Sequence, residues 1–295
     1  MGRHAYLIMC HNNFNILEKL VSLLDDPLND IYIHVDRKVG DITNLKKRIE
    51  VKASTITYIK RISVSWGGFS QIKAEMLLLK AATQEEHDYY HLLSGVDMPL
   101  KSQTLIREFF QTNQGKEFID FDPITDPDEH RLRIQYYRFF QDFVGRRTDF
   151  FSSLLRKLEA VSLNVQCRLG IDRQIGSAQL TRKGSQWFSI THGLATYLLQ
   201  NEKAITKTYR FGLGVDELFL QTFSMTSPFV NNIADSAMRC IDWRRGSPYT
   251  FRSEDYELLI TSEKLFARKF DENVDMEIVD RIYSHINYKN HENNT

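Results

Sequence analysis

Two adjacent carboxylates and three basic side chains in the second half of the chain are the residues best suited to chemistry. A carboxylate such as Glu217, which follows Asp216, can accept the proton of a hydroxyl group. Arg244 and Arg245 can bind phosphate oxygens in a bidentate manner, and Lys269 supplies a compact positive charge. Each residue also has an ordinary structural explanation, because acidic side chains stabilise helix N-termini and exposed basic side chains are common. Residue type alone therefore leaves a catalytic and a structural interpretation open.

An acidic triplet and three histidines are the candidates for metal binding. Asp120-Phe121-Asp122 is an Asp-x-Asp sequence, which can hold a divalent cation, although such triplets also occur where a strand runs into a loop. The three histidines lie at or near predicted strand ends: His11, His34 and His91. No cysteine or carboxylate completes a recognised metal spacing with them, so structural roles are expected. We expect no bound metal and no other cofactor.

Alternating strands and helices in the first third of the chain must position such residues. Apolar runs predict strands at 5–10, 31–35, 56–64 and 89–93. Helical spacing of apolar residues predicts helices at 16–24 and 71–82, the second capped by Ser70. This order predicts a mostly parallel sheet with right-handed crossovers. Ligands bind beyond the carboxyl ends of such strands, so one cleft is expected to gather Cys10-His11, Asp36, Ser65-Trp66 and Ser94 to Asp97.

Shorter elements are predicted in the later part of the chain. Strands are expected at 187–190 and 238–243, and helices from Gly193, near Asp216, around Tyr256 and after Asp275. Asp216 is a suitable cap for its helix, which would leave Glu217 free to face the cleft.

The segment 123–175 differs from its surroundings and predicts a helical insertion within a single domain covering 1–295. Between 131 and 173, nine Lys or Arg residues accompany four Asp or Glu residues, with aromatic side chains among them. Such a segment could present a basic, aromatic surface to a membrane or to an anionic acceptor. The alternative is a solvated pair of helices with a small core of its own.

Composition excludes several classes of protein. The 295 residues are 42% hydrophobic, enough for a substantial core, and 38 acidic residues balance 38 basic ones, so no net charge attracts nucleic acid. The three cysteines are far apart in the sequence, which argues against a disulfide framework or zinc cluster and favours a reducing compartment. The chain contains no uninterrupted run of about 18 apolar residues that could span a membrane. We expect a cytoplasmic protein, with peripheral membrane contact through 131–173 as an option.

Seven blocks, in order along the chain, resemble one family of enzymes. They are IYIHVDRK, SVSWGGFSQIKAEMLLL, YYHLLSGVDMPLKS, GSQWFSI, VDELFLQTF, MRCIDWRRGSP and KLFARKFD. The family comprises the core-2 and I-branching N-acetylglucosaminyltransferases and the protein xylosyltransferases, and the resemblance omits only about 122–174. It implies a glycosyltransferase A-type α/β fold, a UDP-sugar donor, inversion at the anomeric carbon and no divalent metal.

The resemblance assigns roles to the charged residues. Glu217, in VDELF, matches the family's catalytic glutamate, which acts as the general base. Arg244, Arg245 and Lys269 match regions that hold the diphosphate, and a WxR pattern favours Arg245 over Arg244. The position of the usual metal motif corresponds to SGVDMP, where Asp97 stands alone, so basic side chains are expected to replace the metal.

The resemblance also assigns two sets of binding residues. Donor contacts are implied for Cys10, Asp36, Val64, Ser65 and Trp66. Asp36 could instead anchor the neighbouring loop through backbone N–H groups. Contacts with the transferred sugar or the acceptor are implied for Asp97, Ser185, Gln186 and Trp187, although a Trp at such a place is often a core residue. Gln186 replaces an acidic residue found there in some xylosyltransferases, which makes xylose the less favoured sugar.

These expectations describe an inverting, metal-independent glycosyltransferase that moves a sugar, with N-acetylglucosamine favoured, from a UDP-sugar to a hydroxyl group of a glycan or glycolipid. The compact chain resembles bacterial members of the family more than their membrane-anchored relatives. Xylose or another sugar is the alternative within the family. A non-catalytic module that binds a glycan or nucleotide sugar is the alternative outside it, as is an interaction protein that uses the basic insertion at a membrane. The combination of Glu217 with Arg245 and Lys269 favours the enzyme, because binding alone requires no base.

Overall fold

Ten strands and twelve α-helices are found in the part of the chain that the structure describes. The structure is a computed structural model and describes residues 2–123, 127–173 and 181–292. The strands are β1 (His4–Cys10), β2 (Asn29–Val35), β3 (Thr55–Tyr58), β4 (Tyr89–Ser94), β5 (Met98–Pro99), β6 (Glu117–Ile119), β7 (Phe188–Thr191), β8 (Ile233–Asp235), β9 (Arg239–Ile241) and β10 (Phe266–Arg268). The helices are α1 (Phe14–Leu23), α2 (Thr43–Arg48), α3 (Phe69–Ala82), α4 (Gln103–Thr112), α5 (Pro127–Gln135), α6 (Gln141–Val144), α7 (Phe150–Arg168), α8 (His192–Gln200), α9 (Glu202–Tyr209), α10 (Phe219–Met225), α11 (Tyr256–Ile260) and α12 (Met276–Glu292).

Seven strands form the central sheet in the order β3-β2-β1-β4-β7-β6-β8. β1 pairs in parallel with β2 and β4, and β2 pairs in parallel with β3. β7 runs antiparallel to both β4 and β6, whereas β6 and β8 are parallel. The prediction of a mixed α/β fold with a mostly parallel central sheet is therefore confirmed.

Helices cover both faces of this sheet, which explains why β1 is a continuous apolar run. Tyr6 and Ile8 of β1 enter a core shared with α1, α4 and α12. Ala5 and Leu7 enter a second core on the opposite face, shared with α3, α8 and α10. Successive side chains of a strand point to opposite faces, so a strand covered on both sides is apolar at every position.

A second, smaller sheet lies at the carboxyl end of β4. It consists of β5, β10 and β9, with β10 parallel to β9 and antiparallel to β5. The strand predicted at 238–243 is therefore shorter than expected, as β9, and lies outside the central sheet. The amide of Phe270, just after β10, donates to the carbonyl of Val96 at 3.0 Å. This sheet thus brings the chain after β10 against the loop that follows β4.

Two predictions about the segment between β3 and α3 are wrong. β3 ends at Tyr58 rather than at 64, because the chain leaves the sheet and bonds to side chains of β2: the amide of Ile62 donates to His34 Nε2 at 3.1 Å. Ser70 does not cap α3, since Gly68 occupies the N-cap position. The Ser70 hydroxyl instead accepts a hydrogen bond from the Ser65 amide at 2.8 Å, which fixes the loop before the helix.

Helices α5, α6 and α7 occupy most of the segment predicted as an insertion; within 123–175, residues 124–126 and 174–175 lie outside the described residues. The 19-residue helix α7 begins at an Asp149 cap, whose side chain accepts from the Ser152 amide at 3.0 Å. None of the helices in the described ranges is long and apolar enough to span a bilayer.

Candidate functional site

The loops after β1, β2 and β4 meet at the carboxyl edge of the central sheet, where a ligand cleft was expected. The Asp36 amide donates to the Cys10 carbonyl at 2.9 Å, and the Gly95 amide donates to the Met9 carbonyl at 2.9 Å. A side chain at position 95 would approach the Cys10 Cβ to 2.6 Å, so only glycine permits this contact. Cys10 itself is buried, and its thiol faces the His34 carbonyl at 3.7 Å. Cys10 therefore shapes the floor of this edge.

The Asp36 carboxylate anchors two loops through backbone amides. One oxygen accepts from the Lys38 amide at 2.8 Å, and the other accepts from the Val64 amide at 3.3 Å. The Lys38 ammonium lies 3.4 Å from the same carboxylate and donates to the Val64 carbonyl at 2.5 Å. The anchoring role considered from the sequence is thus observed, and it positions Val64 beside Asp36 at the end of β2.

The loop carrying Ser65 and Trp66 is covered by the segment that contains α6. The Ser65 hydroxyl donates to the Asp142 carbonyl at 2.5 Å, and the Arg146 guanidinium lies 4.0 Å from the centre of the exposed Trp66 ring. A side chain at position 68 would lie 2.1 Å from a carboxylate oxygen of Asp142, so Gly68 allows the two segments to meet. A basic side chain already stacks on the indole that was predicted to contact the donor.

Glu217 lies in a 3₁₀ turn, Val215–Glu217, between two basic side chains. Its carboxylate is 39% exposed and accepts from Arg133 Nη1 at 3.0 Å, while Lys183 Nζ lies at 3.9 Å. Lys183 also pairs with Asp122 of the acidic triplet. The Glu217 carbonyl accepts from the Gly184 amide at 3.0 Å, which places this turn directly beside the segment before β7. An accessible carboxylate is thus held in place by cations.

Gly214 connects the Glu217 turn to the Trp66 loop. Its amide donates to the Gly67 carbonyl at 2.8 Å, and it adopts a left-handed conformation with φ of 59°. A Cβ atom at this position would also lie 2.7 Å from Arg133 Nη1. The left-handed backbone therefore favours glycine here, whereas the Arg133 guanidinium, at the end of a flexible side chain, could move aside for a larger residue. The proposed base and the predicted donor loop share one hydrogen-bonded contact.

Asp216 points away from the surface, which corrects the prediction that it caps a helix. Helix α10 begins two residues after Glu217, and the Asp216 side chain caps no helix: it is buried and accepts from Gln71 Nε2 at 2.9 Å. Burial, followed by the charge of Glu217, raises the pKa of Asp216 to about 7. Asp216 is thus a structural neighbour of the proposed base.

A second buried carboxyl group, on Glu75 of α3, lies near Asp216. Burial raises the pKa of Glu75 well above its usual range, and the charge of Asp216 raises it further. Gln186 Nε2 donates to Glu75 at 3.3 Å, and Gln71 Nε2 lies 3.4 Å from the carbonyl oxygen of the Gln186 side chain. The Gln186 side chain is therefore engaged with this carboxyl pair. Glu75 and Gln71 looked like ordinary residues of an amphipathic helix, and sequence reasoning missed them.

Trp187 is packed against a largely buried arginine that sequence reasoning also missed. Trp187 is 7% exposed, and the Arg268 guanidinium lies 3.9 Å from the centre of its ring. Arg268 Nε lies 3.5 Å from Asp97, whose other oxygen accepts from the Ser94 amide at 2.9 Å. Asp97 is 1% exposed, so the prediction that its carboxylate contacts a sugar is not supported. Asp97 therefore forms an ion pair with Arg268, and the Arg268 guanidinium packs against the Trp187 ring.

Ser185, the remaining member of the predicted sugar-binding group, begins the turn into β7. Its hydroxyl accepts from the Trp187 amide at 3.3 Å, and its carbonyl accepts from Gln221 Nε2 at 2.7 Å. Ser185 is partly exposed and lies one residue after Gly184, which bonds to the Glu217 carbonyl. Four residues were predicted to contact the sugar. Ser185 is the one that directly follows Gly184, whose amide bonds to the Glu217 carbonyl.

Arg244 and Arg245 differ in their surroundings. Arg245 donates through Nε to Asp242 at 2.6 Å and through Nη1 to the buried Asp255 at 2.7 Å, and these two carboxylates raise its pKa. Arg244 is exposed, and among the described residues its guanidinium forms no hydrogen bond or ion pair. The sequence pattern favoured Arg245 as the phosphate ligand, but the structure leaves Arg244 more available, since the Arg245 charge is already compensated.

Lys269 follows β10, and a hydrogen bond to its backbone carbonyl fixes its position. Its carbonyl accepts from the Phe251 amide at 3.0 Å, and the next residue, Phe270, is bonded to the loop after β4. Within the described ranges, the Lys269 ammonium has no hydrogen-bonding or ionic partner. A cation with a fixed backbone and a free end thus lies close to the carboxyl edge of the sheet.

The metal candidates are occupied by protein partners. Asp120 accepts from the Ala237 amide at 2.6 Å, and Asp122 pairs with Lys183. His91 contacts Ser189 Oγ at 2.8 Å and His4 Nδ1 at 3.1 Å, and burial lowers its pKa well below the usual value. His34 and His91 have the structural partners that were predicted for them, whereas His11 is exposed. Within the part of the chain that the structure describes, no group of three acidic, His or Cys side chains could hold a metal ion.

Comparisons with known proteins agree with the resemblance. A family model described as Core-2/I-Branching enzyme matches residues 4–266. Xylosyltransferase 2 of Rattus norvegicus is 22% identical over 319 residues, which cover 96% of this chain and 34% of that protein. The xylosyltransferase of Ciona intestinalis is 23% identical, with 97% of this chain and 34% of that protein covered. The chain therefore spans about a third of the length of these curated relatives.

One solved structure also matches the chain. The apo form of mouse xyloside xylosyltransferase 1 is 10% identical and covers 90% of this chain and 97% of its own, with a TM-score of 0.42.

Proposed function

Since the chain belongs to the Core-2/I-branching enzyme family, we propose that it is a glycosyltransferase that moves a sugar from a UDP-sugar to a hydroxyl group of a glycan or glycolipid. The observation that carries this proposal is the position of Glu217. Its accessible carboxylate is held by Arg133 at 3.0 Å, and its turn is bonded to the Trp66 loop through Gly214 and Gly67. A base beside the loop that is expected to bind the donor would suit glycosyl transfer.

In the proposed reaction, Glu217 accepts the proton of the acceptor hydroxyl while that oxygen bonds to the anomeric carbon. The bond from the anomeric carbon to the diphosphate oxygen breaks, and its electron pair leaves with UDP. Attack from the face opposite the leaving group inverts the anomeric carbon. Proton removal by a positioned side chain typically accelerates such a step by about 10² to 10⁴.

We propose that basic side chains stabilise the departing UDP in place of a divalent metal. Lys269 and Arg244 have no ionic partners among the described residues, so their charges are available to a diphosphate. Arg245 can assist through the part of its guanidinium that Asp242 and Asp255 leave free. Fixed cations aimed at developing negative charge are among the most effective catalytic devices.

N-acetylglucosamine is the favoured sugar in this proposal, and xylose is the second candidate. Gln186 takes the place of an acidic residue of some xylosyltransferases, and its amide bonds to Glu75. An acidic residue here would add a third carboxyl group to the buried pair of Glu75 and Asp216. The names of the two relatives favour xylose, since both are xylosyltransferases. Both sugars fit a transferase that uses Glu217 as its base.

The Glu217→Gln variant tests the proposal directly. We expect UDP release from a panel of UDP-sugars, in the presence of a glycan acceptor, to fall by about 10² or more, while calorimetry shows unchanged donor binding. Glu86→Gln is the matched control, because Glu86 is exposed and precedes β4, at the opposite edge of the sheet. A wild-type protein that binds donors but releases no UDP with any acceptor would favour the non-catalytic binding module.

Chelation tests the metal-free part of the proposal. Transfer by the wild-type protein is expected to persist in excess EDTA, because protein cations supply the charge. Complete loss of transfer in EDTA, with recovery on adding Mg²⁺ or Mn²⁺, would contradict this mechanism without contradicting glycosyl transfer itself.

A further inference from the structure

Helix α7 carries a row of apolar side chains that the rest of the described chain leaves uncovered. We call it the α7 stripe; it consists of Phe150, Leu154, Leu158, Val161, Val165 and Leu169, which follows the last helical residue. These side chains are between 45% and 87% exposed. Their spacing of four, four, three, four and four residues places them on one face of the helix. The stripe extends for roughly 28 Å at 1.5 Å per residue.

A neighbouring face of α7 is attached to the protein, so the helix cannot rotate to bury the stripe. Gln166 is buried, and its side chain accepts from the Tyr137 amide at 2.8 Å and donates to the Tyr137 carbonyl at 2.9 Å. Ser152 and Leu155 are also buried on this side. The orientation of the helix, with its apolar row outward, is therefore part of the fold.

The exposed charges of α7 are all positive. Arg156, Lys157 and Arg168 are exposed, whereas the single acidic residue within the helix, Glu159, is partly buried and accepts from the Phe140 amide at 3.3 Å. On a helix of 3.6 residues per turn, Lys157 and Arg168 border one edge of the α7 stripe. The exposed acidic residues that flank the row, Asp149 and Asp172, are each paired with an arginine. An apolar row bordered by cations therefore complements a surface that is both apolar and anionic.

We propose that the α7 stripe is a docking surface for an anionic lipid bilayer. The helix would lie in the plane of the interface, with the stripe among the acyl chains near the headgroups and with Lys157 and Arg168 against lipid phosphates. A helix that lies on the bilayer needs no spanning length, and α7 is not a spanning helix. This docking surface is independent of the proposed transferase activity.

The docking surface is also connected to the Trp66 loop. Gln141, in α6 just before α7, donates through Nε2 to the Trp66 carbonyl at 2.9 Å, and Arg146 stacks on the Trp66 ring at 4.0 Å. A bilayer held by α7 would therefore lie beside the candidate site, and an acceptor carried on a lipid would be presented there.

Co-sedimentation of the full chain with vesicles tests this proposal. The wild-type protein is expected to bind vesicles of phosphatidylcholine with phosphatidylglycerol, to bind pure phosphatidylcholine vesicles at least about tenfold more weakly, and to be released by salt. The variant Leu158→Ser/Val161→Ser/Val165→Ser is expected to bind anionic vesicles about tenfold more weakly or worse. Leu258→Ser is the control, because Leu258 is 54% exposed on α11.

A charge-reversal pair keeps the test valid if the apolar variant misfolds. Lys157→Glu/Arg168→Glu is expected to abolish the preference for anionic vesicles, whereas Lys203→Glu/Lys207→Glu on α9 keeps it. Thermal unfolding of each variant verifies the fold. Equal binding of anionic vesicles by the wild type, the apolar triple variant and the Lys157→Glu/Arg168→Glu variant would overturn the proposal. So would a wild-type dimer, seen by analytical ultracentrifugation, that the stripe variants dissociate while no form binds vesicles, because a second copy would then cover the stripe.

Discussion

Arg133 Nη1 lies 3.0 Å from Glu217 Oε2, so a cation from α5 holds the carboxylate that we propose as the base. Both side chains are partly exposed, at 25% and 39%, and such pairs contribute only about 0–1 kcal/mol to the free energy of unfolding. The role that fits this pair is positioning of the carboxylate, because Arg133 also donates to the Gly214 carbonyl at 3.5 Å beside it.

Arg133→Ala is predicted to lower kcat with little change in the KM for the donor. The Glu217 carboxylate would lose its fixed orientation, and misplacement of a reacting group by about 1 Å can cost about 10²-fold in rate. Steady-state kinetics with a varied donor concentration measures both constants. Arg131→Ala is the matched control, since Arg131 lies on the same helix but pairs with Asp172 at 2.5 Å. Equal losses of kcat in the two variants would contradict the positioning role.

Lys269→Ala and Arg244→Ala are each predicted to slow transfer by about 10²–10³-fold, the typical cost of removing one group that stabilises charge in the transition state. Neither side chain has an ionic partner among the described residues, so the free energy of unfolding is expected to stay the same. Kinetics and urea denaturation of each variant provide the measurements. Lys203→Ala, on α9, serves as the control.

Arg245→Ala is predicted to differ, because it lowers stability as well as activity. The variant leaves the buried Asp255 without its guanidinium partner at 2.7 Å. We expect a lower urea midpoint for Arg245→Ala than for Arg244→Ala. The reverse order of midpoints would show that the Asp242 and Asp255 contacts do not hold Arg245 in place.

The raised pKa of Asp216 predicts that the free energy of unfolding depends on pH. Its pKa is raised from 3.8 to about 7 in the folded protein, so the folded state binds the proton more tightly than the unfolded state does. This contribution to stability is fully present below the unfolded pKa and is lost as the pH rises through about 7. The loss cannot exceed ~1.4 kcal/mol per pH unit for one group.

Asp216→Asn removes this titration and is predicted to flatten the decline in stability between pH 5 and about 7. Urea denaturation of wild type and variant at several pH values measures the difference between them, which cancels other titrating groups such as Glu117. Parallel curves for the two proteins would show that Asp216 is ionised in the folded state throughout this range.

Asp97→Asn is predicted to destabilise the fold by about 3–5 kcal/mol, because it leaves buried cations without a compensating charge. Asp97 is 3.5 Å from Arg268, and its charge also favours the protonated form of the buried Arg239. Asp280→Asn is the control: it breaks an exposed pair with Lys19 at 3.1 Å and should cost at most about 1 kcal/mol. Similar small losses in both variants would rule out a supporting role for Asp97.

Much of the fold could be predicted from the chain because local patterns correspond to burial. The apolar run of β1 and the helical spacing of α1 predicted a parallel sheet covered by helices, as observed. The strand at 238–243 was misplaced because strand pairing depends on distant partners: β9 pairs with β10 in a second sheet. The boundary of β3 was wrong for a related reason, since the Asp36 and His34 side chains bind the amides of the following loop.

The sequence alone determined the family, the alternation of strands and helices, and the candidate roles of Glu217 and Lys269, because these depend on short blocks of neighbouring residues. Only the tertiary structure decided which charges are free and which are compensated. Arg133 reaches Glu217 across 84 positions, and Asp97 is buried against Arg268. Whether a charged side chain serves a ligand or the fold depends on the partners that distant segments bring within about 4 Å, and residue spacing contains no record of those partners.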